Sequence, residues 1–275
     1  MIFVFGCPRS GTTFLAGALG SLNGYVDLGE VAPLKAKIPR LSSVAPASAA
    51  GDAKRILSRV QRWSCAGGLR AVEQTPETIF IASAIAHAYP GAVFLHLVRD
   101  GRDVVCSLEK RGWLASGRSG ADDAGHTYGA ETRFWVEPER AAEFAQVSDV
   151  RRAAWAWRRY VEAGRALGDR AVELRYEILT ANPGQVAAQL GEALEHPVEE
   201  LTEALSAAHD GSVGRHRLEL SASQLMDVEI ESGALLHTLG YLSSTGGRSV
   251  DHPARGNPPD PPEVGRTQDS GACRR

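Results

Sequence analysis

Short apolar runs alternate with longer amphipathic segments along most of the chain. Three of these runs, Met1–Phe5, Val93–Val98 and Ala171–Arg175, are mostly apolar, and a turn and a helical pattern follow each one. Strands that are buried on both faces read as nearly continuous apolar runs, so these segments predict parallel β-strands. A weaker strand is predicted at Leu69–Val72. The pattern therefore predicts an α/β fold with a central parallel sheet flanked by helices.

Helical periodicity is clearest between and after these strands. Thr75 and Pro76 are suited to begin a helix, and Pro90 with Gly91 is suited to end it. A longer helix is predicted over Asp149–Leu167, where Trp155, Trp157 and Tyr160 are interpreted as core residues rather than as a platform for a substrate. His87 and His96 fall within apolar patterns and are interpreted as packed. Further helical segments are predicted at 183–194, 197–209 and 221–238.

Three segments lack a clear period. Residues 42–68 and 114–132 are predicted to be irregular, and insertions of this kind often form lids or substrate walls. From Ser243 to Arg275 the chain is rich in Pro, Gly, Ser and charged residues and has little to bury. We therefore predict one domain over residues 1–242 and a disordered tail over residues 243–275.

Composition narrows the classes of partner. The 275 residues are 43% hydrophobic, enough for one substantial core. With 30 Lys and Arg against 33 Asp and Glu, the formal net charge is −3. No basic stripe is present, which excludes a general nucleic-acid binder. An anionic ligand must therefore be held by a local cluster of residues.

Targeting and metal signals are weak. The apolar run before Gly6 is too short for a signal peptide, and no segment has the roughly 18 apolar residues of a membrane span. The four scattered cysteines have no zinc spacing and are interpreted as reduced thiols. These features predict a cytoplasmic protein without a metal site. They carry no signal for its oligomeric state.

The glycine-rich segment at residues 6–13, Gly-Cys-Pro-Arg-Ser-Gly-Thr-Thr, follows the first strand and opens a helix. Its glycines allow a tight turn, so that backbone N–H groups and the positive helix end can face one anion. The outline matches a Walker A loop, but Thr12 replaces the lysine, and the cation is Arg9 instead. The segment predicts a phosphate site. The alternative is a glycine-rich turn with one surface arginine.

A second anion site is predicted where the Val93–Val98 strand ends. Arg99 follows this strand, Asp100 is suited to cap the next helix, and Ser107 lies on the second turn of that helix. Ligands of open α/β sheets bind at the carboxyl ends of the strands, where an arginine and a hydroxyl can converge on one phosphate. Taken alone, Arg-Asp-Gly-Arg-Asp is also compatible with an exposed, salt-bridged turn.

Together these residues resemble the sulfotransferase family that uses 3′-phosphoadenosine 5′-phosphosulfate (PAPS), over most of residues 1–242. The loop is similar to the arginine form of the family's 5′-phosphosulfate loop, and Arg99 with Ser107 to its 3′-phosphate pair. Arg175-Tyr176-Glu177 and the segment 212–217 resemble two later family segments, which adds Tyr176 and Arg215. The resemblance implies a P-loop α/β fold and a cofactor site made of Cys7, Pro8, Arg9, Ser10, Gly11, Thr12, Thr13, Arg99, Ser107, Tyr176 and Arg215.

The resemblance also implies roles in catalysis. Arg9 would stabilise the bridging oxygen as the sulfur–oxygen bond breaks. Glu30 matches the position of a catalytic glutamate in bacterial and protein-tyrosine members and is the expected general base, with a solvated loop carboxylate as the alternative. Gln74 departs from the family, because related bacterial sequences commonly have a lysine there. The histidine base of small-molecule members is also missing from this segment.

The expected activity is transfer of a sulfuryl group from PAPS to a hydroxyl or amine, releasing PAP and requiring no metal. The acceptor class stays open among small molecules, carbohydrates and lipids. One alternative is a P-loop kinase of a small metabolite, which would need a lysine at position 12 and acidic residues for Mg²⁺. The other is a nucleotide-binding module without chemistry, which would keep Arg99 and Ser107 but have no use for Arg9 or Glu30.

Overall fold

The computed structural model describes residues 1–65, 67–115 and 133–242, and residues 1–242 form one compact unit. Nearly all of the predicted insertion at 114–132 lies outside the described residues. The predicted tail at 243–275 lies wholly outside them. No helix in the described part of the chain combines the length and apolar character needed to cross a bilayer.

A parallel sheet forms the centre of the described chain. Its strands lie side by side in the order β2-β3-β1-β4-β5. In the β1–β4 pair, Phe5 lies opposite His96, so the loop after β1 emerges beside the end of β4. The strands are β1 (Ile2–Phe5), β2 (Tyr25–Asp27), β3 (Arg70–Glu73), β4 (Val93–Val98) and β5 (Ala171–Arg175).

Helices cover both faces of the sheet. They are α1 (Thr12–Gly20), α2 (Ala32–Lys35), α3 (Ile38–Ser42), α4 (Pro46–Cys65), α5 (Ala82–Ala88), α6 (Gly101–Arg111), α7 (Ala141–Gln146), α8 (Asp149–Arg165), α9 (Tyr176–Ala181), α10 (Pro183–Leu194), α11 (Val198–Leu205), α12 (His216–Glu219) and α13 (Ala222–Thr238). Short 3₁₀ helices occupy Pro76–Ile81, Pro138–Arg140 and Gly168–Arg170.

The alternation of side chains along β1 separates two apolar cores. Phe3 and Phe5 face the core that contains the aromatic residues of α8, while Ile2 and Val4 face the core beneath α1 and α10. This follows from the two-residue period of a strand, which sends successive side chains to opposite faces. The predicted burial of the α8 aromatics is confirmed, since Trp155, Trp157 and Tyr160 are all buried.

Several local predictions are wrong. The segment predicted to be irregular at 42–68 contains α4, whose Ala49, Ala53 and Leu57 recur every fourth residue and are buried. Strand β2 was not predicted, since it has three residues and lies at the sheet edge. The helix predicted to begin at Pro76 begins as a 3₁₀ helix and becomes α-helical only in α5.

The two histidines predicted to be packed have different environments. His96 is buried in β4, as predicted. His87 is exposed on α5, where its Nδ1 lies 2.7 Å from the carbonyl oxygen of Ser83. The prediction for His87 is therefore wrong, because its neighbours in the apolar pattern belong to the opposite side of the helix.

Candidate active site

The loop between β1 and α1 has the geometry of an anion cradle. Gly11 has a φ of 96°, and a Cβ atom there would lie 2.8 Å from the ring of Tyr176. Both the left-handed backbone conformation and the lack of room for a side chain therefore require glycine. Arg9 also has a left-handed backbone, with a φ of 76°. A non-glycine residue in this region is strained by about 1–3 kcal/mol, and such strain clusters at functional sites.

The second site begins where β4 ends. The Asp100 side chain accepts a hydrogen bond of 3.0 Å from the backbone N–H of Arg102 and so caps α6, as predicted. Arg99 is 4% exposed, and its guanidinium carbon lies 4.5 Å from the Tyr176 ring centre. Its Nη1 donates to the carbonyl oxygen of Arg9 at 3.2 Å, and its Nη2 donates to that of Ser212 at 2.5 Å. The Arg99 guanidinium therefore faces the glycine-rich loop.

The two sites meet in one cleft. Arg9 Nε donates a hydrogen bond of 3.0 Å to Ser107 Oγ, which links the loop directly to α6. The cleft has a volume of about 360 Å³. Its walls are Arg9, Gly11, Thr12, Thr13, Arg99, Ser107, Tyr176, His209, Ser212 and Arg215. Eight of these residues were expected from the sequence, and His209 and Ser212 were not.

Three loop residues expected at the cofactor lie elsewhere. Cys7 and Pro8 line a neighbouring cavity of about 40 Å³ rather than the cleft. Ser10 is buried, and its hydroxyl has no hydrogen-bond partner. Its backbone N–H donates to the carbonyl oxygen of Cys7 at 3.1 Å, which closes the turn. These residues shape the loop, while their side chains lie away from the cleft wall.

The remaining expected residues flank the loop. The Glu30 side chain is 35% exposed and accepts a hydrogen bond of 2.5 Å from Lys35 Nζ, without lining the cleft or its neighbour. Gln74 is buried, and its Oε1 accepts a 3.4 Å hydrogen bond from Thr13 Oγ1. The family's lysine position is therefore in contact with the loop, but here it carries no charge.

A segment from His209 to Arg217 lies against the cleft, and Asp103 holds it. The buried Asp103 carboxylate accepts from the backbone N–H of Gly214 at 2.7 Å, and from the backbone N–H and Nδ1 of His216 at 3.1 and 2.7 Å. Burial alone would raise the pKa of Asp103, but these hydrogen bonds outweigh it and lower the pKa. Sequence reasoning missed Asp103, because its partners lie over a hundred residues away and form no local pattern.

Two buried carboxyl groups lie at the end of β3 and just after it. Burial raises the pKa of Glu73 and that of Glu77 from 4.5 to about 7, although hydrogen bonds from Thr75 partly offset the rise at Glu73 and the charge of Lys35 partly offsets it at Glu77. Both Glu73 oxygens are occupied, by the Thr75 backbone N–H at 2.9 Å and by Thr78 Oγ1 at 3.3 Å. Neither carboxyl group was singled out from the sequence.

The Glu73→Gln variant is expected to have a flatter dependence of stability on pH. A folded-state pKa of about 7 against 4.5 means that the native protein holds a proton that the unfolded chain has released. Wild-type stability should therefore fall as pH rises from 4.5 to 7, with Glu73 contributing up to about 1.4 kcal/mol per pH unit. Denaturant unfolding at a series of pH values measures this slope. An identical slope in the two proteins would contradict the assignment.

Metal-binding groups are a separate question. Within residues 1–65, 67–115 and 133–242, no three His, Cys, Asp or Glu side chains are grouped closely enough to hold a metal ion.

Comparison with known proteins identifies a family and a shared fold. The family model described as the sulfotransferase family matches residues 2–200. The solved sulfotransferase domain from the curacin biosynthetic pathway has a TM-score of 0.53 at 16% identity, covering 88% of this chain and 98% of that one. A sulfotransferase from Alicyclobacillus acidocaldarius has a TM-score of 0.40 at 18% identity, covering 86% and 95%. No curated protein matches the sequence. The family match and the first likeness confirm the predicted P-loop α/β fold.

Proposed function

The chain belongs to the sulfotransferase family, and from this premise we propose that it transfers a sulfuryl group from PAPS to a hydroxyl or amine acceptor. One observation carries the proposal: the glycine-rich loop and the Arg99–Ser107 pair line the same cleft. A nucleotide with phosphate groups at both its 5′ and 3′ positions needs two anion sites in one cleft. The cleft supplies both from a single sheet edge.

The donor groups of the cleft fit a 3′-phosphate. Arg99 Nε is buried and has no hydrogen-bond partner, an arrangement that costs about 1–3 kcal/mol unless a ligand supplies an acceptor. Ser107 accepts its bond from Arg9, so its hydroxyl hydrogen is available for a phosphate oxygen. Arg215 lines the same cleft and pairs with Glu219 at 3.2 Å. We assign the 3′-phosphate to Arg99, Ser107 and Arg215.

The groups at the start of α1 fit a 5′-phosphosulfate. Thr12 and Thr13 open this nine-residue helix, whose first N–H groups have no partner within the helix and carry a partial positive charge of about half a unit. A bound anion completes these hydrogen bonds, as in other P-loop proteins. We assign the 5′-phosphate to the N–H groups and hydroxyls of Thr12 and Thr13.

Arg9 is assigned to the leaving oxygen. When the new sulfur–oxygen bond forms and the bridging bond breaks, negative charge collects on the oxygen of the 5′-phosphate. Arg9 belongs to the loop of the 5′-phosphosulfate site. Its guanidinium donates to Ser107 and its backbone carbonyl accepts from Arg99, so Arg9 links this loop to the 3′-phosphate site. Gln74, at the position where relatives carry lysine, supplies hydrogen bonds without charge. Arg9 must therefore provide more of the electrostatic stabilisation than in those relatives.

A radiochemical assay tests this function. The protein is incubated with ³⁵S-labelled PAPS and a panel of alcohols, phenols and amines, and separately with γ-labelled ATP, each with and without Mg²⁺. We expect labelled sulfate on an acceptor from PAPS and no turnover of ATP. Metal-dependent ATP turnover would instead identify a kinase. Retention of PAP without transfer to any acceptor would identify a binding module.

A further inference from the structure

An apolar cavity adjoins the nucleotide cleft on the other side of the loop. Its walls include Cys7 and Pro8 from the loop and the aromatic rings of Trp113, Trp135 and Tyr160. The Arg9 guanidinium lies 6.0 Å from the centre of the Trp113 ring, so the cavity opens beside the cation assigned to the leaving oxygen. A group bound in this cavity would meet the sulfuryl group from the side opposite the nucleotide.

Glu77 is the acidic residue among the described residues that line this cavity. It is 3% exposed, and its Oε1 accepts a 3.2 Å hydrogen bond from the Tyr160 hydroxyl. Its Oε2 is buried without a hydrogen-bond partner, and Lys35 Nζ lies 3.8 Å from it. A buried carboxylate oxygen without a hydrogen-bond donor is destabilising, and the hydroxyl of a molecule bound in the cavity would supply one.

We propose that Glu77 accepts the proton of the acceptor's hydroxyl and that the cavity binds a compact aromatic alcohol. This rests on the sulfotransfer proposed above. The acceptor oxygen forms a bond to sulfur while the sulfur–oxygen bond to the 5′-phosphate breaks, and that bonding pair leaves on the phosphate. The hydroxyl proton moves to Glu77 Oε2. Atoms and charges balance with no further reactant.

The other two carboxyl groups nearby are less suited to this role. Glu30 is bound to Lys35 at 2.5 Å and does not line the cavity. Glu73 does not line it either, and both of its oxygens are occupied by Thr75 and Thr78. Lys35 forms ion pairs with both Glu30 and Glu77, and the negative charge of Glu30 helps to raise the pKa of Glu77.

The charge environment of Glu77 suits a general base near neutral pH. The titratable groups that face it are Lys35 from α2, Glu30 from the loop before α2, Tyr160 from α8 and Cys7 from the loop after β1. Burial raises its pKa to about 7, with the charge of Lys35 opposing the rise. A base with a pKa near the working pH transfers protons most effectively.

The cavity walls indicate the acceptor class. Trp113, Trp135 and Tyr160 offer aromatic surfaces, and Glu77 offers a single strong acceptor for one hydroxyl. The several hydroxyls of a sugar would enter this cavity without partners, which costs about 1–3 kcal/mol for each one buried. The apolar lining and the single strong acceptor match, in their chemistry, the ring and the one hydroxyl of an aromatic alcohol. We use 2-naphthol as the probe and methyl glucoside as its polar counterpart.

The test compares Glu77→Gln with Glu30→Gln, using ³⁵S-labelled PAPS and 2-naphthol between pH 5.5 and 8.5. Wild-type kcat/KM should fall below a pH of about 7 as Glu77 becomes protonated. Glu77→Gln should lose about 10²- to 10⁴-fold in kcat/KM together with this inflection, while its affinity for PAP is unchanged. Glu30→Gln should lose less and keep the inflection. Methyl glucoside should be a poorer acceptor than 2-naphthol.

The outcomes separate this inference from the function on which it rests. A wild-type protein that neither binds PAP nor transfers sulfate overturns the proposed function itself. If wild type transfers sulfate and Glu77→Gln keeps both this activity and the pH inflection, only the inference is overturned. The same holds if wild type prefers methyl glucoside to 2-naphthol. If Glu77→Gln does not fold, Glu77→Asp replaces it, and it should keep the inflection at a reduced rate. An unreduced rate in Glu77→Asp would also overturn the inference.

Discussion

Replacing Arg9 with alanine is expected to lower the rate of sulfuryl transfer by about 10²- to 10³-fold, the effect of removing one critical donor from a developing negative charge. The loss should exceed any loss of PAP affinity, because bound PAP keeps Arg99, Ser107 and the helix end as partners. Single-turnover transfer and PAP titration by calorimetry measure the two quantities separately.

Two further variants control for side effects at Arg9. Its left-handed backbone, with a φ of 76°, is one that glycine adopts without strain. Arg9→Gly should therefore lower the rate of transfer as much as Arg9→Ala does, although it removes the backbone strain in the loop. Arg9→Lys keeps the charge but not the Nε–H that bonds Ser107, so it should lie between wild type and alanine. Equal losses of transfer and of PAP affinity in Arg9→Ala would contradict the role at the leaving oxygen.

Replacing Arg99 with alanine is expected to weaken PAP binding by about 2–5 kcal/mol, the range for truncating one partner of a buried charge pair. The side chain is buried, its Nε has no protein partner, and its other nitrogens hold Arg9 and Ser212 in place. The loss should therefore combine a missing phosphate contact with a loosened cleft wall. Calorimetric titration of PAP measures the change in affinity.

Arg175→Ala is the matched control for Arg99→Ala. Arg175 ends β5, the strand next to β4, and donates to the carbonyl oxygen of Leu239 at 3.3 Å without lining the cleft. Removing it deletes the same charge near the same sheet edge. Because Arg175 does not line the cleft, PAP affinity should be unchanged. Unchanged affinity in Arg99→Ala as well would remove Arg99 from the nucleotide site.

The sheet and the two anion sites could be predicted because their signals are local. β1 and β4 are apolar runs, and the residues that follow them carry the loop and Arg99. Since neighbouring parallel strands end at one edge, the residues of the two predicted sites had to meet there, and Arg9 does donate a hydrogen bond to Ser107. The contact between the loop after β1 and the helix after β4 was therefore implied by the local patterns at the ends of these two strands.

Features without a local signal were missed. α4 is rich in Ala and Ser, so its small buried residues gave little contrast with its exposed ones. β2 is too short to show a period. Asp103 and Glu77 act through partners from distant segments, such as His216 and Tyr160. Cys7 and Pro8 were grouped with the nucleotide loop, but their side chains line the neighbouring cavity.

The central claim is that one nucleotide occupies both anion sites of a single cleft, and calorimetric titration of PAP, adenosine 5′-phosphate and adenosine 3′-phosphate tests it most directly. We expect one PAP per chain, bound more tightly than either monophosphate. Arg99→Ala should remove the advantage of PAP over adenosine 5′-phosphate, and Thr13→Val should reduce its advantage over adenosine 3′-phosphate. Two nucleotides per chain, or a PAP affinity no higher than that of adenosine 5′-phosphate, would contradict the account.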